Sequence, residues 1–229
     1  MTSLLPFQWH VAEVLLILAA GVAHRIAVPS KRERRLAAYA LLALLAVVVW
    51  PFGDLASSVS VTAATLQRLV IMLLVAPFLL LATPTEELAR LTRPRLVDAV
   101  TRLLAHPGVA MAVVTVLGTA TLSTPVVDWG ARSSIGRGLI LLVVLFLGFV
   151  LWLPALDLLP GAKRLSPAGR AGYVFASSLV VTSLSFVWIF ARHSLYPGLH
   201  HQHALLDMTP LLDQQLAGFV AKFACYIPM

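Results

Sequence analysis

Cysteine is almost absent from this 229-residue chain: Cys225 is the single one. No intrachain disulfide can form, and no Cys-x-x-Cys metal or redox site exists. Charge is also scarce, at 12% Asp, Glu, Lys and Arg. A water-soluble domain carries about 25%. Such a deficit cannot cover a water-facing surface. With 59% hydrophobic residues and a mean hydropathy of +0.90, much of this chain has lipid as its solvent. Also missing are a Walker pattern, a Ser-His-Asp order and a paired-carboxylate site, so an enzyme reading has no residues to carry it. No internal repeat or low-complexity segment stands out.

The formal net charge of +7 raises the question of nucleic acid. The basic residues argue against it. They fall in short clusters between apolar runs, as membrane flanks do. A membrane span needs about 20 mostly apolar residues. Six full candidates are read at 4–23, 36–53, 61–82, 108–127, 136–158 and 171–191, and a shorter seventh at 210–229. The first lacks a basic region ahead of it and reads as a retained span, not a cleaved leader.

Loop charges orient these spans. The first, third and fifth loops hold twelve Lys and Arg; the second, fourth and sixth hold three. The positive-inside rule then predicts an all-α, seven-helix bundle in a single membrane domain, with the N-terminus outside and the C-terminus cytoplasmic. It also puts "LHHQHALLDMTPLLDQQLAGF", residues 199–219, at the outer face. "TPTE" at 83–86 predicts a capped cytoplasmic helix, interrupted by Pro94. Beyond it, Leu96, Val97, Val100, Leu103 and Leu104 make one apolar face, with Arg95 and Arg102 toward headgroups. "SP" at 166–167 and "TP" at 209–210 open the sixth and seventh spans. Asp213 falls in the first turn of the seventh, where a carboxylate suits the helix dipole, and the Asp-Gln-Gln of 213–215 reads as a helix start with interhelical hydrogen bonding.

Polar groups at membrane depth cost free energy and mark candidate sites. Arg68 lies within the third span. It reads either as the partner of a carboxylate, a haem propionate or a subunit, or as a side chain snorkelling to the outer headgroups. Glu13 in the first span is its candidate counter-charge across the bundle. Lys222 reads as reaching the inner interface. Pro77 bends the third span and frees a carbonyl for a neighbouring helix. His10 and His24 bracket the first span, and His106 precedes the fourth. His200, His201 and His203, with His193 nearby, form the one metal-like cluster. Imidazole suits copper or zinc, and Asp207 and Met208 are possible further ligands. The bland alternative is a solvated loop.

Several strings resemble the CtaG family of cytochrome c oxidase assembly factors, those associated with caa-type oxidases. They are "LQRLVIMLLVAPFLLLATP" (66–84), "HPGVAMAVVTVLGTATLSTPVVD" (106–128), "GFVLWLP" (148–154), "LSPAGRAGYVF" (165–175), "SLYPG", and "TPLLDQQLAG" (209–218). The last is the most specific. The resemblance runs from about residue 60 to the end and implies seven spans with the N-terminus outside. It marks Gln67, Arg68, Pro77, Asp213, Gln214, Gln215 and Gly218 as family-motif or partner positions. It is unlike the thiol-bearing copper chaperone that shares the family's name, which a single cysteine excludes.

The resemblance further implies copper delivery to, or copper-centre maturation of, a haem-copper oxidase in a bacterial plasma membrane, through intramembrane histidines. Here the pattern departs. The family's third span reads Ser-Ala-His-Met-x-Gln-His; "TAATLQR" places Ala64 and Arg68 at its histidines. Its fourth reads Trp-His-x-Pro; "LSTP" places Ser123 at that histidine. The fifth-span histidines face Arg137 and apolar neighbours, and no imidazole occurs between His106 and His193. Alanine and arginine cannot bind copper. Two readings follow: an oxidase assembly factor, with His200, His201 and His203 as substitute copper ligands, or a metal-free accessory subunit of a respiratory or other membrane complex. A transporter ranks third, since no duplicated halves are seen.

Overall fold

The computed structural model describes residues 11–28, 30–159, 165–181, 183–196 and 208–224, and these are helical with connecting turns. The helices are α1 (Val11–Ala27), α2 (Lys31–Val48), α3 (Phe52–Ser58) and α4 (Val61–Val70). A π-helical turn (Ile71–Val75) leads into α5 (Ala76–Ala82). Then come α6 (Thr85–Leu91), α7 (Arg95–Leu104), α8 (Pro107–Thr121), α9 (Thr124–Arg132) and α10 (Ser134–Leu156). The remainder are α11 (Pro167–Val181), α12 (Ser183–Ile189) and α13 (Pro210–Ala224).

Two of these stretches are long and apolar enough to cross a membrane alone: the continuous run Val61–Ala82 and α10. α7 with α8 passes the same test as a pair but bends by 87° between them. That bend lays the amphipathic α7 across the end of the bundle, with Leu96, Val97, Val100 and Leu103 exposed. The other expected spans are shorter or charged. α8, α11 and α13 have 15 residues each, about 22 Å of helix against a hydrocarbon core of about 30 Å. By length and composition, then, two or three of the seven expected spans qualify among the described residues.

The boundaries moved for physical reasons. α2 starts at Lys31 because the basic run is itself helix-forming, and it carries those charges inside its first turns. The expected fourth span stops at Thr121, and Thr124-Pro125 starts the short α9. The "TPTE" capping box does not form. Pro84 takes the cap position, and the Thr83 hydroxyl donates back to the Leu79 carbonyl (2.9 Å) at the end of α5. The other two start signals hold. Ser166 Oγ accepts from Gly169 N (3.1 Å), and Thr209 Oγ1 from Leu212 N (3.2 Å).

α10 is the central helix. On one side Val144 and Ile140 pack with Val47 and Val48 of α2 and Ile71 of the π turn. On the other, Leu147, Val150 and Leu151 pack with Ala110 and Val114 of α8 and Tyr173 of α11. A third cluster joins Val61 of α4, Trp188 of α12, Tyr196 and Ala217 of α13. The periphery is apolar instead of polar: Leu16, Ile26, Leu142, Phe190 and Phe223 are all largely exposed. Such a surface suits acyl chains and not water.

The helix ends sort into two groups. α3, α9 and the starts of α4, α10 and α13 meet at one end, joined by Arg137–Asp54 (3.7 Å) and Thr124 Oγ1 donating to Leu195 O (3.0 Å). At the other end His24 Nε2 meets Ala82 O (3.0 Å), and Arg170 pairs with Asp157 (3.5 Å), the left-handed cap of α10. The basic flanks of α2, α6 and α7 lie at that second end.

Candidate functional site

The first end of the bundle gathers Gln67, Arg68, Asp213, Gln214 and Gln215, and the first three meet helix ends. The last four carbonyls and first four N–H groups of any helix lack intrahelical partners. Asp213, in the first turn of α13, meets the start of α4. Its Oδ2 accepts from Val61 N (2.6 Å), and its Oδ1 from Thr62 N (3.2 Å) and from the Ser60 hydroxyl (2.8 Å). The Thr62 hydroxyl donates back to Asp213 O (2.8 Å), and Ser60 Oγ accepts from Ala63 N (3.1 Å). A carboxylate on the positive end of α4 is favoured by the helix dipole. Beyond its place in the first turn of α13, Asp213 makes the interhelical hydrogen bonds expected of the Asp-Gln-Gln string and locks two helices together.

Gln67 and Arg68 do the reverse, meeting carbonyls at helix C-termini. Gln67 Nε2 donates to Val47 O of α2 (2.6 Å). Arg68 donates from its two terminal nitrogens to the Oγ1 and O of Thr121, the last residue of α8, each at 3.1 Å. The expected Arg68–Glu13 pairing is not formed: Arg68 turns to α8, and α1 packs on α2. Gln214 is fully buried and accepts from Leu195 N (2.7 Å) through Oε1. Gln215 Nε2 donates to Ala191 O (3.3 Å).

Gly218 is where α13 touches α12. A Cβ there would lie 2.8 Å from Ile189 Cγ1 and 2.9 Å from Ser185 O. Small residues permit this approach between membrane helices. Within the string 213–218, Asp213, Gln214, Ala217 and Gly218 are thus buried packing and capping residues. The side chains of Leu212 and Leu216 point outward.

Pro77 works with the π turn. Ala76 N donates to Ile71 O, five residues back. Met72 O therefore loses its ordinary donor, and the next candidate, Pro77, has no N–H. The indole of Trp152 on α10 supplies the missing bond to Met72 O (2.9 Å). A Cβ on Gly148, one turn earlier on α10, would sit 2.6 Å from Ala76 Cβ, so glycine allows α10 to reach this turn.

A cavity of about 60 Å³ lies under these caps, lined by Ala64, Gln67, Arg68, Arg137, Trp188 and Tyr196 among others. Ala64, Arg68 and Arg137 are three of the positions where the resemblance expects histidines, and here they meet. Arg137 also donates to Ser57 Oγ (2.9 Å) and pairs with Asp54, which is fully buried. Ser123 lies apart, at the start of α9, with its hydroxyl donating to Ala120 O (2.8 Å). Trp188 and Tyr196 meet edge to face at 6.1 Å, and the Tyr196 hydroxyl donates to Leu122 O (2.8 Å). Burial raises the Tyr196 phenol above its ordinary value, against smaller opposing pulls from Trp188 and Arg68.

The cavity does not fit copper. Guanidinium is a cation without an acceptor lone pair, and alanine has no donor atom. Among the described residues no group of three or more His, Cys, Asp or Glu is placed to hold a metal. His24, His106 and His193 are far apart in the chain, and His193 is exposed. His200, His201 and His203 lie outside the described residues.

Residues 14–229 match the family model described as cytochrome c oxidase caa3 assembly factor, Caa3_CtaG. The chain belongs to this family. The match covers nearly the whole chain and begins well before residue 60, where the recognisable strings start. No curated protein and no solved structure matches it. In this Caa3_CtaG chain, Asp213, Gln214 and Gly218 join α13 to α4, to Leu195 and to α12. The missed signals were the helix-end partners: nothing in one sequence pairs Asp213 with Val61, or Arg68 with Thr121.

Proposed function

We propose that this protein assists the assembly of a haem-copper cytochrome c oxidase in a bacterial plasma membrane. In this reading it is a seven-pass body, N-terminus outside and C-terminus cytoplasmic, that docks on oxidase subunits during their maturation. The observation that carries it is the family match across residues 14–229. Supporting it are the lipid-suited periphery, the surface-lying α7, and the concentration of basic flanks at one end of the bundle. Copper-centre maturation falls, in this reading, to His200, His201 and His203, because the Arg68 cavity lacks ligands for it.

Capture tests the docking. Tagged protein solubilised in a mild detergent from cells inducing their oxidase should bring down oxidase subunits, at less than one per oxidase once assembly is complete. Capture at a fixed one-to-one ratio with mature oxidase supports the second reading, a permanent accessory subunit, which the ligand-poor cavity favours. Capture of no oxidase subunit at any stage contradicts both. Metal analysis decides the copper role. Wild type should hold more copper than His200→Ala/His201→Ala/His203→Ala; equally little in the two removes it.

A further inference from the structure

Arg68 lies seven residues past Val61, about 10 Å along the helix axis. It walls two cavities. One, of about 60 Å³, is shared with Arg137, Gln67 and Tyr196. The other, of about 110 Å³, is lined by Thr115, Thr119, Ser183 and Ser185 as well as apolar groups. Trp188, 4% exposed, borders both.

The charge of Arg68 is only partly answered. Its bonds to Thr121 place it at the negative end of α8, which offers about half an elementary charge. Two of its N–H groups are used there. A guanidinium has five, and the others have no acceptor among the described residues. No described carboxylate lies within ion-pair distance of it, whereas Arg137 has Asp54. A partly buried cation in a membrane protein costs free energy until an anion meets it. The donors left over form the planar edge of a guanidinium, which matches the two oxygens of a carboxylate. Both cavities are far below the roughly 300 Å³ of the smallest usual small-molecule sites. They admit a group, not a whole cofactor.

We propose that the Arg68 cavity is a carboxylate-binding site, with Arg68 the charged anchor and the second N–H of the Gln67 amide, whose first meets Val47 O, its neutral donor. The source of the carboxylate is either an acidic side chain of a docking partner or a free small acid. The partner source rests on the oxidase-assembly reading; the site itself does not.

The test is a titration of the purified full-length protein in detergent with sodium propionate, against sodium chloride at equal ionic strength. Trp188 fluorescence is the readout. Wild type should give a saturable change with propionate that chloride does not give, and Trp188→Phe should abolish it. Arg68→Lys should weaken the response several-fold, and Arg68→Gln, which keeps a donor toward Thr121, should lose it. Helicity and gel-filtration profiles of the Gln and Lys variants confirm their fold. A response as strong in Arg68→Gln as in wild type, one that survives Trp188→Phe, or none beyond chloride in wild type, overturns the site. Oxidase-subunit capture repeated with propionate then assigns the source. Competition identifies the partner's side chain, and saturable binding without competition identifies a free acid. If capture fails altogether while propionate binds, the assembly reading falls and the site stands.

Discussion

The indole of Trp152 donates to the carbonyl of Met72, 2.9 Å away, on a helix whose own donors have been shifted out of reach. Ala76 N bonds to Ile71 O, and Pro77 has no N–H to offer. The central helix α10 thereby completes the hydrogen bonding of the π turn beside it.

Trp152→Phe should leave Met72 O unsatisfied in an apolar setting and destabilise the protein by about 1 kcal/mol. Pro77→Ala restores a backbone donor, so the double variant should lose less than the sum of the two. Thermal unfolding in one detergent measures the cycle. Additive losses would mean that the indole bond and the proline are unrelated.

Asp213 holds the start of α4 through two backbone N–H groups and the Ser60 hydroxyl. Asp213→Ala strands those donors and should cost about 2–4 kcal/mol, combining cap loss with buried unsatisfied groups. Asp213→Asn keeps one acceptor oxygen and should cost less. The order is checked by thermal unfolding and by the yield of monodisperse protein.

Arg137 and Asp54 are a buried pair between α10 and α3, with the Arg137 side chain 13% exposed. Breaking one partner leaves a buried charge, so Arg137→Gln should cost about 3–5 kcal/mol. Arg137→Gln with Asp54→Asn should recover part of that loss. A double variant as unstable as the two losses added together would show that the charges are not coupled.

Gly218→Ala should already push α12 and α13 apart, since its Cβ would meet Ser185 O and Ile189, and Gly218→Val should do so more strongly. Overpacking of this kind costs about 1–3 kcal/mol. Gly172→Ala, which meets nothing within 4 Å, is the neutral control.

Residue chemistry explains what the sequence alone did and did not reveal. The charge deficit and the long apolar runs made the all-helical, lipid-facing character legible, and "DQQLAG" pointed to the family. Pro77 announced a freed carbonyl for a neighbouring helix; the π shift makes it that of Met72, and nothing local names Trp152, 80 residues away, as its donor. Asp213 read as a helix-start residue with bonds to another helix, but dipole arguments are local and did not name α4, which its carboxylate reaches across 152 residues of chain. Glu13 was paired with Arg68 on depth alone, and depth does not say which helix is adjacent. The convergence of Ala64, Arg68 and Arg137 on one cavity needed the fold, because they lie on two different helices, α4 and α10.

The most direct measurement of the central claim is the reduced-minus-oxidised optical spectrum of membranes from cells lacking this protein. Loss of the assembled haem-copper oxidase signal, restored by the wild-type gene, is the predicted result. An undiminished oxidase spectrum and unchanged oxidase activity in its absence would contradict the account.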